Sequence, residues 1–299
     1  MYRCGFVAIL GRPNVGKSTL MNALLGQKIA VTSPRVQTTR TRIKGVLTVE
    51  GRGQIVFLDT PGFSKALDSM GECLTREAEQ AMEDADGYIL VVDGSEPCGR
   101  GDVWLAERLK ASGKWTLIIV NKTDMLKDKI LRDANRDSYL RLFEGHPDWN
   151  FLTVSAKTGR RIQEVPKLLL KHLPAGEPIF DEDAVTDQRI RDIAQEIIRE
   201  KMMRFTDDEL PHSIAVLIEL FDESNPACIQ IEANLYVDKE SQKGMVIGKQ
   251  GQMLKKIGEA ARKDIEELVE GKVFLSLQVK VKPKWREDKP FLKLLGLTH

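Results

Sequence analysis

The string Gly11-Arg12-Pro13-Asn14-Val15-Gly16-Lys17-Ser18 constrains this chain more than any other, because its glycines, lysine and hydroxyl work only between a strand and a helix. Both flanks are present. Phe6 to Leu10 is a short apolar run of the buried-strand type, and Lys17 to Leu25 has helical spacing, with Leu20, Ala23 and Leu24 on one side and Gly26 as its stop. Gly11 and Gly16 let the backbone approach phosphates closely. The N–H groups of the helix start, from Lys17 through Thr19, then point at them, Lys17 adds a point charge and Ser18 offers a hydroxyl to a magnesium ion. A chance match would be a plain glycine turn, which needs neither flank.

A second string, Asn121-Lys122-Thr123-Asp124, follows another apolar run, Trp115 to Val120, and so falls at a strand's carboxyl end, where open α/β sheets bind ligands. A carboxylate such as Asp124 accepts from both N1–H and the exocyclic amine of guanine. Adenine offers an acceptor at N1 and no amine there, so a site built this way refuses it. Asn121 can reach the base edge, and Lys122 can lie along the ring and brace the phosphate loop. Gln54 to Leu58 is a further strand ending in Asp59-Thr60-Pro61-Gly62, where Asp59 can enter the magnesium shell and the Gly62 N–H can touch a γ-phosphate. Phe151 to Val154 leads into Ser155-Ala156-Lys157, whose backbone can meet the guanine oxygen.

These four strings, in this order, resemble translation-factor-type GTPases. The loop from Gly11 to Ser18 together with Gln37-Thr38-Thr39-Arg40 is similar to the branch that contains the TrmE, Era and EngA families. The resemblance implies that Thr38 or Thr39 closes over magnesium in the GTP state, with Thr39 preferred. The expected metal ligands are then Ser18, Thr39 and Asp59, and the expected catalytic set is Lys17, Thr39, Gly62 and Asn14. Ras-type enzymes orient their attacking water with a glutamine after the Asp-x-x-Gly string. Here Phe63 stands in that place and cannot, so slow intrinsic hydrolysis is expected. Relatives with an asparagine where Asn14 stands use a bound potassium ion against transition-state charge; a loop-shaping role suits Asn14 equally well.

At 299 residues the chain exceeds one ordinary domain, so two are expected. The net charge of +1 announces no nucleic-acid partner, and any basic surface must be local. Cys4, Cys73, Cys98 and Cys228 have no metal-ligand spacing, which fits a reducing cytoplasm and excludes structural zinc. The first strand begins almost at Met1, leaving no room for a signal sequence, and no apolar stretch approaches the ~18 residues of a membrane span. Peripheral contact with the inner face of a membrane stays compatible with this composition. Strands alternate with helices as far as Pro174, and Val46 to Val49 pairs hairpin-fashion with Ile55 to Leu58. A mostly parallel six-stranded α/β sheet with helices on both faces is expected over 1–174, then a linker over 175–186 marked by Pro174, Gly176 and Pro178, and an α+β domain over 187–299. His172, on the last helix before the linker, reads as a surface or capping residue.

In the second half Ile190, Ile193, Ala194, Ile197 and Ile198 predict an amphipathic helix. Strands over Ile214 to Phe221 and Ile229 to Val237 follow, joined at Ser224-Asn225-Pro226. A helix carrying Leu254, Ile257, Ala261, Ile265 and Leu268 ends at Gly271, and an alternating strand runs from Val273 to Val281. The expected order is α, β, β, α, α, β with helices on one face. Val246-Ile247-Gly248-Lys249-Gln250-Gly251 places two glycines and a lysine at a helix start, and it resembles the clamp of a type II KH domain. That resemblance makes these six residues, with Lys255, the expected RNA contacts, bases being read by apolar groove residues.

One GTPase domain followed by one KH domain resembles the Era family over the whole chain, including the stretches Thr186 to Lys201 and Glu209-Leu210-Pro211. His212 and Ile190 replace the tyrosine and phenylalanine usual there. The single phosphate loop disfavours EngA, and the missing terminal cysteine disfavours TrmE. The resemblance implies a monomeric GTP/GDP switch using magnesium, that binds the 3′ end of small-subunit ribosomal RNA and assists maturation of the small ribosomal subunit. The alternative is a nucleotide-gated RNA or membrane scaffold with negligible turnover.

Overall fold

The computed structural model describes residues 1–27, 29, 43–62, 68–143, 146, 148–206, 213–225 and 227–297. Gln37, Thr38, Thr39, Arg40, Phe63, Glu209, Leu210, Pro211, His212 and Pro226, each used above, lie outside the described residues. The chain forms two compact units; most of the second follows Asp187, and it also takes in residues 68–73 at the start of α2.

The first unit runs β1 (Arg3–Leu10), α1 (Lys17–Leu25), β2 (Ile43–Val49), β3 (Gly53–Asp59), α2 (Ser69–Asp84), β4 (Gly87–Asp93), α3 (Arg100–Ser112), β5 (Thr116–Asn121), α4 (Lys129–Leu140), β6 (Asn150–Thr153) and α5 (Val165–His172). Its strands lie in the order β2-β3-β1-β4-β5-β6. Every adjacent pair is parallel except β2 with β3. Period two sends alternate side chains to opposite faces. Val7 and Ile9 pack with Leu20 and Met21 of α1 and Leu169 of α5, whereas Ala8 and Leu10 pack with Ala81 of α2 and Leu105 of α3. Covered on both sides, β3, β4 and β5 are buried throughout, which is why they read as unbroken apolar runs. β1 lies where the chain order reverses, with β3 on one side and β4 on the other, and ligands of open sheets bind outside the carboxyl end of such a strand.

The 175–186 segment, expected as a linker, is tied to this sheet. Ala175 bridges Arg3, Gln54 Oε1 accepts from the N–H groups of Ile179 and Phe180 at 2.9 Å each, and Thr186 bridges Gly45. Phe180 and Val185 pack against the cores of opposite faces, so the apolar residues among the Pro and Gly signals fix the segment down.

The second unit runs α6 (Ile190–Phe205), β7 (Ala215–Asp222), β8 (Ile229–Val237), α7 (Glu240–Ile247), α8 (Gln252–Val269), β9 (Val273–Val281) and α9 (Lys289–Leu294). β8 is central, antiparallel to β7 and parallel to β9. Ile193, Ile197 and Ile198 of α6 and Ile257, Ala261 and Ile265 of α8 cover one face through Ile231, Ala233 and Leu235. The expectation of helices on one face needs an addition. Tyr236 points to the other face, and Phe291 of α9 meets it edge-on with ring centroids 4.8 Å apart. Fully buried Trp285 anchors this extension by donating to the Ser213 carbonyl at 3.0 Å. Among the described residues no helix is long and apolar enough to cross a membrane.

Candidate nucleotide site and nucleic-acid clamp

The loop after β1 is shaped by close approaches that exclude side chains. A Cβ on Gly11 would lie 2.4 Å from the Val91 carbonyl oxygen, and one on Gly16, at φ 97°, would lie 2.4 Å from Asn121 Nδ2. Asn14 adopts the left-handed conformation at φ 64°, the loop-shaping role open to it, and its side chain is exposed. α1 then starts with no side-chain cap and no acid in its first turn, so its N–H groups are kept for an anion. Lys17 is buried and donates to the carbonyls of Gly11 and Arg12 at 3.2 and 3.1 Å. Burial pulls its ammonium down to about 8, against the Asp59 carboxylate. Ser18 Oγ donates to Asp59 Oδ2 at 2.8 Å, bringing together two hard oxygen groups of the kind magnesium takes. Half-buried Thr19 follows on the same turn. Gly62 closes over this loop, since a Cβ there would meet Pro13 N at 2.9 Å. Thr60, overlooked as mere spacing, fixes that approach by donating to the Ile9 carbonyl at 2.9 Å.

The Arg12 and Asn121 side chains both have partners within the protein. Arg12 is held by carboxylates, 3.2 Å from Asp102 and 3.4 Å from Glu96, near the start of α3. Asp102 is almost fully buried, and burial pushes its carboxyl up in spite of the Gly99 N–H and Arg12. Asn121 is held between the two loops and keeps a second amide N–H beyond the bond to Val15. Its Nδ2 donates to the Val15 carbonyl at 3.0 Å and its Oδ1 accepts from Ala156 N–H at 2.9 Å. It therefore joins the phosphate loop to the 155–157 loop across the end of the sheet. The Val15 side chain is itself core, so only its backbone serves the site.

Around Asn121 the base-reading residues are set by neighbours. Lys122, left-handed at φ 62°, donates to Asp93 Oδ2 at 2.6 Å. Burial pushes the Asp93 carboxyl up, but Lys122 and the hydroxyl and N–H of Ser95 together hold it below its ordinary value. Asp93 was not read from the sequence, although an Asp-Gly pair closing a buried strand is a usable signal. Thr123 Oγ1 donates to the Val154 carbonyl at 2.8 Å and locks the two loops. Ser155 Oγ donates to Asp124 Oδ1 at 2.6 Å, orienting an exposed carboxylate. Ala156 is buried and Lys157 exposed beside it. His172 stacks on Trp115 and lies 3.1 Å from the Asn150 amide.

In the second unit α7 ends at Gly248, with φ 71° and ψ 179°, where a Cβ would meet Met253 Cβ at 2.6 Å. Gln250 is left-handed at φ 52° and Gly251 at φ 77°, and α8 starts, like α1, with no side-chain cap and no acid in its first turn. Lys249, Gln250 and Lys255 are exposed and Ile247 is half-buried. Val246 must be removed from the expected RNA contacts, because it is wholly buried in the core beneath α7. A groove between α8 and β9 is lined by Gly251, Leu254, Gly258, Leu275 and Leu277, with two cations, Lys255 and Arg262, and one acid, Glu259, which lies 3.9 Å from Lys255.

A phosphate loop braced to a guanine-type loop, on a sheet of this order, defines a P-loop GTPase domain, and the glycine clamp with its three-stranded sheet defines a KH domain. Comparison with known proteins agrees. The family described as "50S ribosome-binding GTPase" matches residues 6–122 and the KH domain family matches 209–286. The chain is 44% identical to GTPase Era of Nostoc sp. over 99% of its length and 90% of that protein, and 43% identical to GTPase Era of Ruminiclostridium cellulolyticum over 99% and 97%. A crystal structure of Era in complex with MgGDPNP and nucleotides 1506–1542 of 16S ribosomal RNA superposes with a TM-score of 0.94 at 38% identity, over 100% of both chains. A variant of Aquifex aeolicus Era bound to GDP and AlF4- superposes at 0.93, again at 38% identity, over 99% and 100%. This chain belongs to the Era family of GTPases.

Proposed function

We propose that this protein binds GTP across the loops after β1, β5 and β6, hydrolyses it slowly, and in the GTP state holds the 3′ end of small-subunit ribosomal RNA in the α8–β9 groove during maturation of the small subunit. The observation that carries the nucleotide half is the pair of hydrogen bonds that Asn121 makes, donating to the Val15 carbonyl and accepting from Ala156 N–H, which ties the phosphate-binding and base-reading loops together. Lys17 and the start of α1 receive the phosphates, Gly62 meets the γ-phosphate, and Asp124 selects guanine. Ser18 and Asp59, with Thr39, are the magnesium ligands, and the ion when bound neutralises charge on the β- and γ-phosphates. Asn14 would hold a potassium ion supplying positive charge in place of an arginine finger, the alternative being a loop-shaping role alone.

On the RNA side, Gly248 to Gly251 bring backbone against a single strand, Lys249 and Lys255 meet its phosphates, and Leu254, Leu275 and Leu277 give bases an apolar floor. The RNA seen with a related Era supports this assignment. The protein acts as a cytoplasmic monomer, and any membrane contact is peripheral. Multiple-turnover GTPase assays with and without a 3′-end ribosomal RNA fragment test the reading. Stimulation by RNA upholds it, whereas turnover indistinguishable from a Lys17→Ala variant under both conditions replaces it with a nucleotide-gated scaffold.

A further inference from the structure

Behind the base-reading loops, α4 and the carboxyl ends of β5 and β6 enclose a cavity lined by Thr123, Thr153, three arginines (Arg132, Arg136 and Arg160) and one acid, Asp133. It is separate from the nucleotide receptor: Asn121, Lys122, Asp124 and Ala156 do not line it, and α4 packs on the sheet face opposite α1. Arg132 and Arg136 stand one turn apart on α4 and so face the same way. The charge of Arg136 is already met, 3.2 Å from Asp133 and 2.6 Å from Asp137. Arg132 and Arg160 have no carboxylate for their guanidinium groups among the described residues. Two uncompensated planar cations converging on a concave, hydroxyl-lined site match a tetrahedral oxyanion, which each can bind through paired N–H donors.

We propose that this cavity is a second anion site, taking a phosphate group through Arg132 and Arg160, and that its occupancy slows GDP release. The link runs through two hydrogen bonds. The Arg160 carbonyl accepts from Ser155 N–H at 3.2 Å, and the Ser155 hydroxyl holds Asp124. Gly94, also in the cavity wall, donates its N–H to the Asn121 carbonyl at 2.8 Å. An occupant that fixes Arg160 therefore fixes the residue that orients the guanine acceptor. This coupling rests on the guanine reading; binding of the anion does not.

The test titrates inorganic phosphate, by calorimetry, into the full chain saturated with magnesium and a non-hydrolysable GTP analogue, so that the phosphate loop is filled. Saturable binding is expected, weakened at least about tenfold in Arg132→Gln/Arg160→Gln. Asp133→Asn, which removes the one acid from the lining, should tighten it and keeps the test decisive should the double variant fold poorly. Absence of saturable binding, or binding that neither substitution moves, overturns the site. Adenosine 5′-monophosphate separates the sources of the group: tighter binding than phosphate assigns a phosphomonoester, equal or weaker binding the free ion. Release of fluorescent GDP, measured with and without phosphate, then reads the coupling alone; an unchanged rate overturns the coupling and leaves the site standing.

Discussion

Asn121 carries two buried obligations on one side chain, and its loss leaves both the Val15 carbonyl and the Ala156 N–H without a partner. At about 1–3 kcal/mol for each buried group so stranded, Asn121→Ala should cost the first unit about 2–6 kcal/mol of stability. It should also speed GDP release at least about tenfold, read by fluorescent GDP and thermal unfolding. Asp124→Asn makes the opposite kind of change, exchanging an acceptor for a donor where the guanine amine lies. Binding of GTP should be lost and binding of xanthosine triphosphate gained, and unaltered GTP affinity would remove the guanine assignment. Lys17 adds a pH signature. Its folded value of about 8 lies below the ordinary 10.5, so the nucleotide-free protein gains stability as pH rises from about 8 towards 10.5. Nucleotide binding runs the other way because the phosphates require the ammonium. Affinity for GDP should fall above pH 8, by up to about tenfold per pH unit, and constant affinity from about pH 7 to 9 would contradict this.

α1 and α8 solve one problem twice: each begins at a left-handed glycine, with no capping side chain and no first-turn acid. α4 shows the ordinary alternative, since Asp128 caps it by accepting from the N–H groups of Ile130 and Leu131. Gly248 permits the clamp at α8 by proximity as well as by φ, with only 2.6 Å available to Met253. Gly248→Ala should therefore displace the start of α8 and weaken RNA binding at least about tenfold in a filter-binding assay, with GDP affinity unchanged. The extent of α1 was legible because Gly16 and Gly26 are strong breakers, and β8 because Ile229 to Val237 alternates at period two. Choices among hydrogen-bond acceptors were not. Nothing local tells that Arg12 turns to Asp102, 90 positions on, or that Asn121 bonds the Val15 and Ala156 backbone. Val246 was misplaced because apolar residues at a glycine clamp suit a groove wall and a core equally.

In the whole molecule, the two units were visible as a change from β-α alternation to the α-β-β-α-α-β order. The strap over 175–187 and the Trp285–Phe291 extension were not, because both are pinned by contacts distant in sequence, at Gln54 and at Ser213 and Tyr236. The proposed function depends on the nucleotide governing RNA capture. If Asn14 holds potassium, replacing sodium by potassium should raise the GTP hydrolysis rate severalfold in the wild-type chain and leave Asn14→Ala unmoved; equal rates in both salts would assign Asn14 to loop shape alone. The most direct measurement is the affinity of a 3′-end 16S ribosomal RNA fragment for the protein loaded with a non-hydrolysable GTP analogue and for the same protein loaded with GDP. The GTP-like form should bind at least about tenfold more tightly, a coupling of roughly 1.4 kcal/mol. Equal affinities in the two states would contradict a GTP-gated RNA clamp.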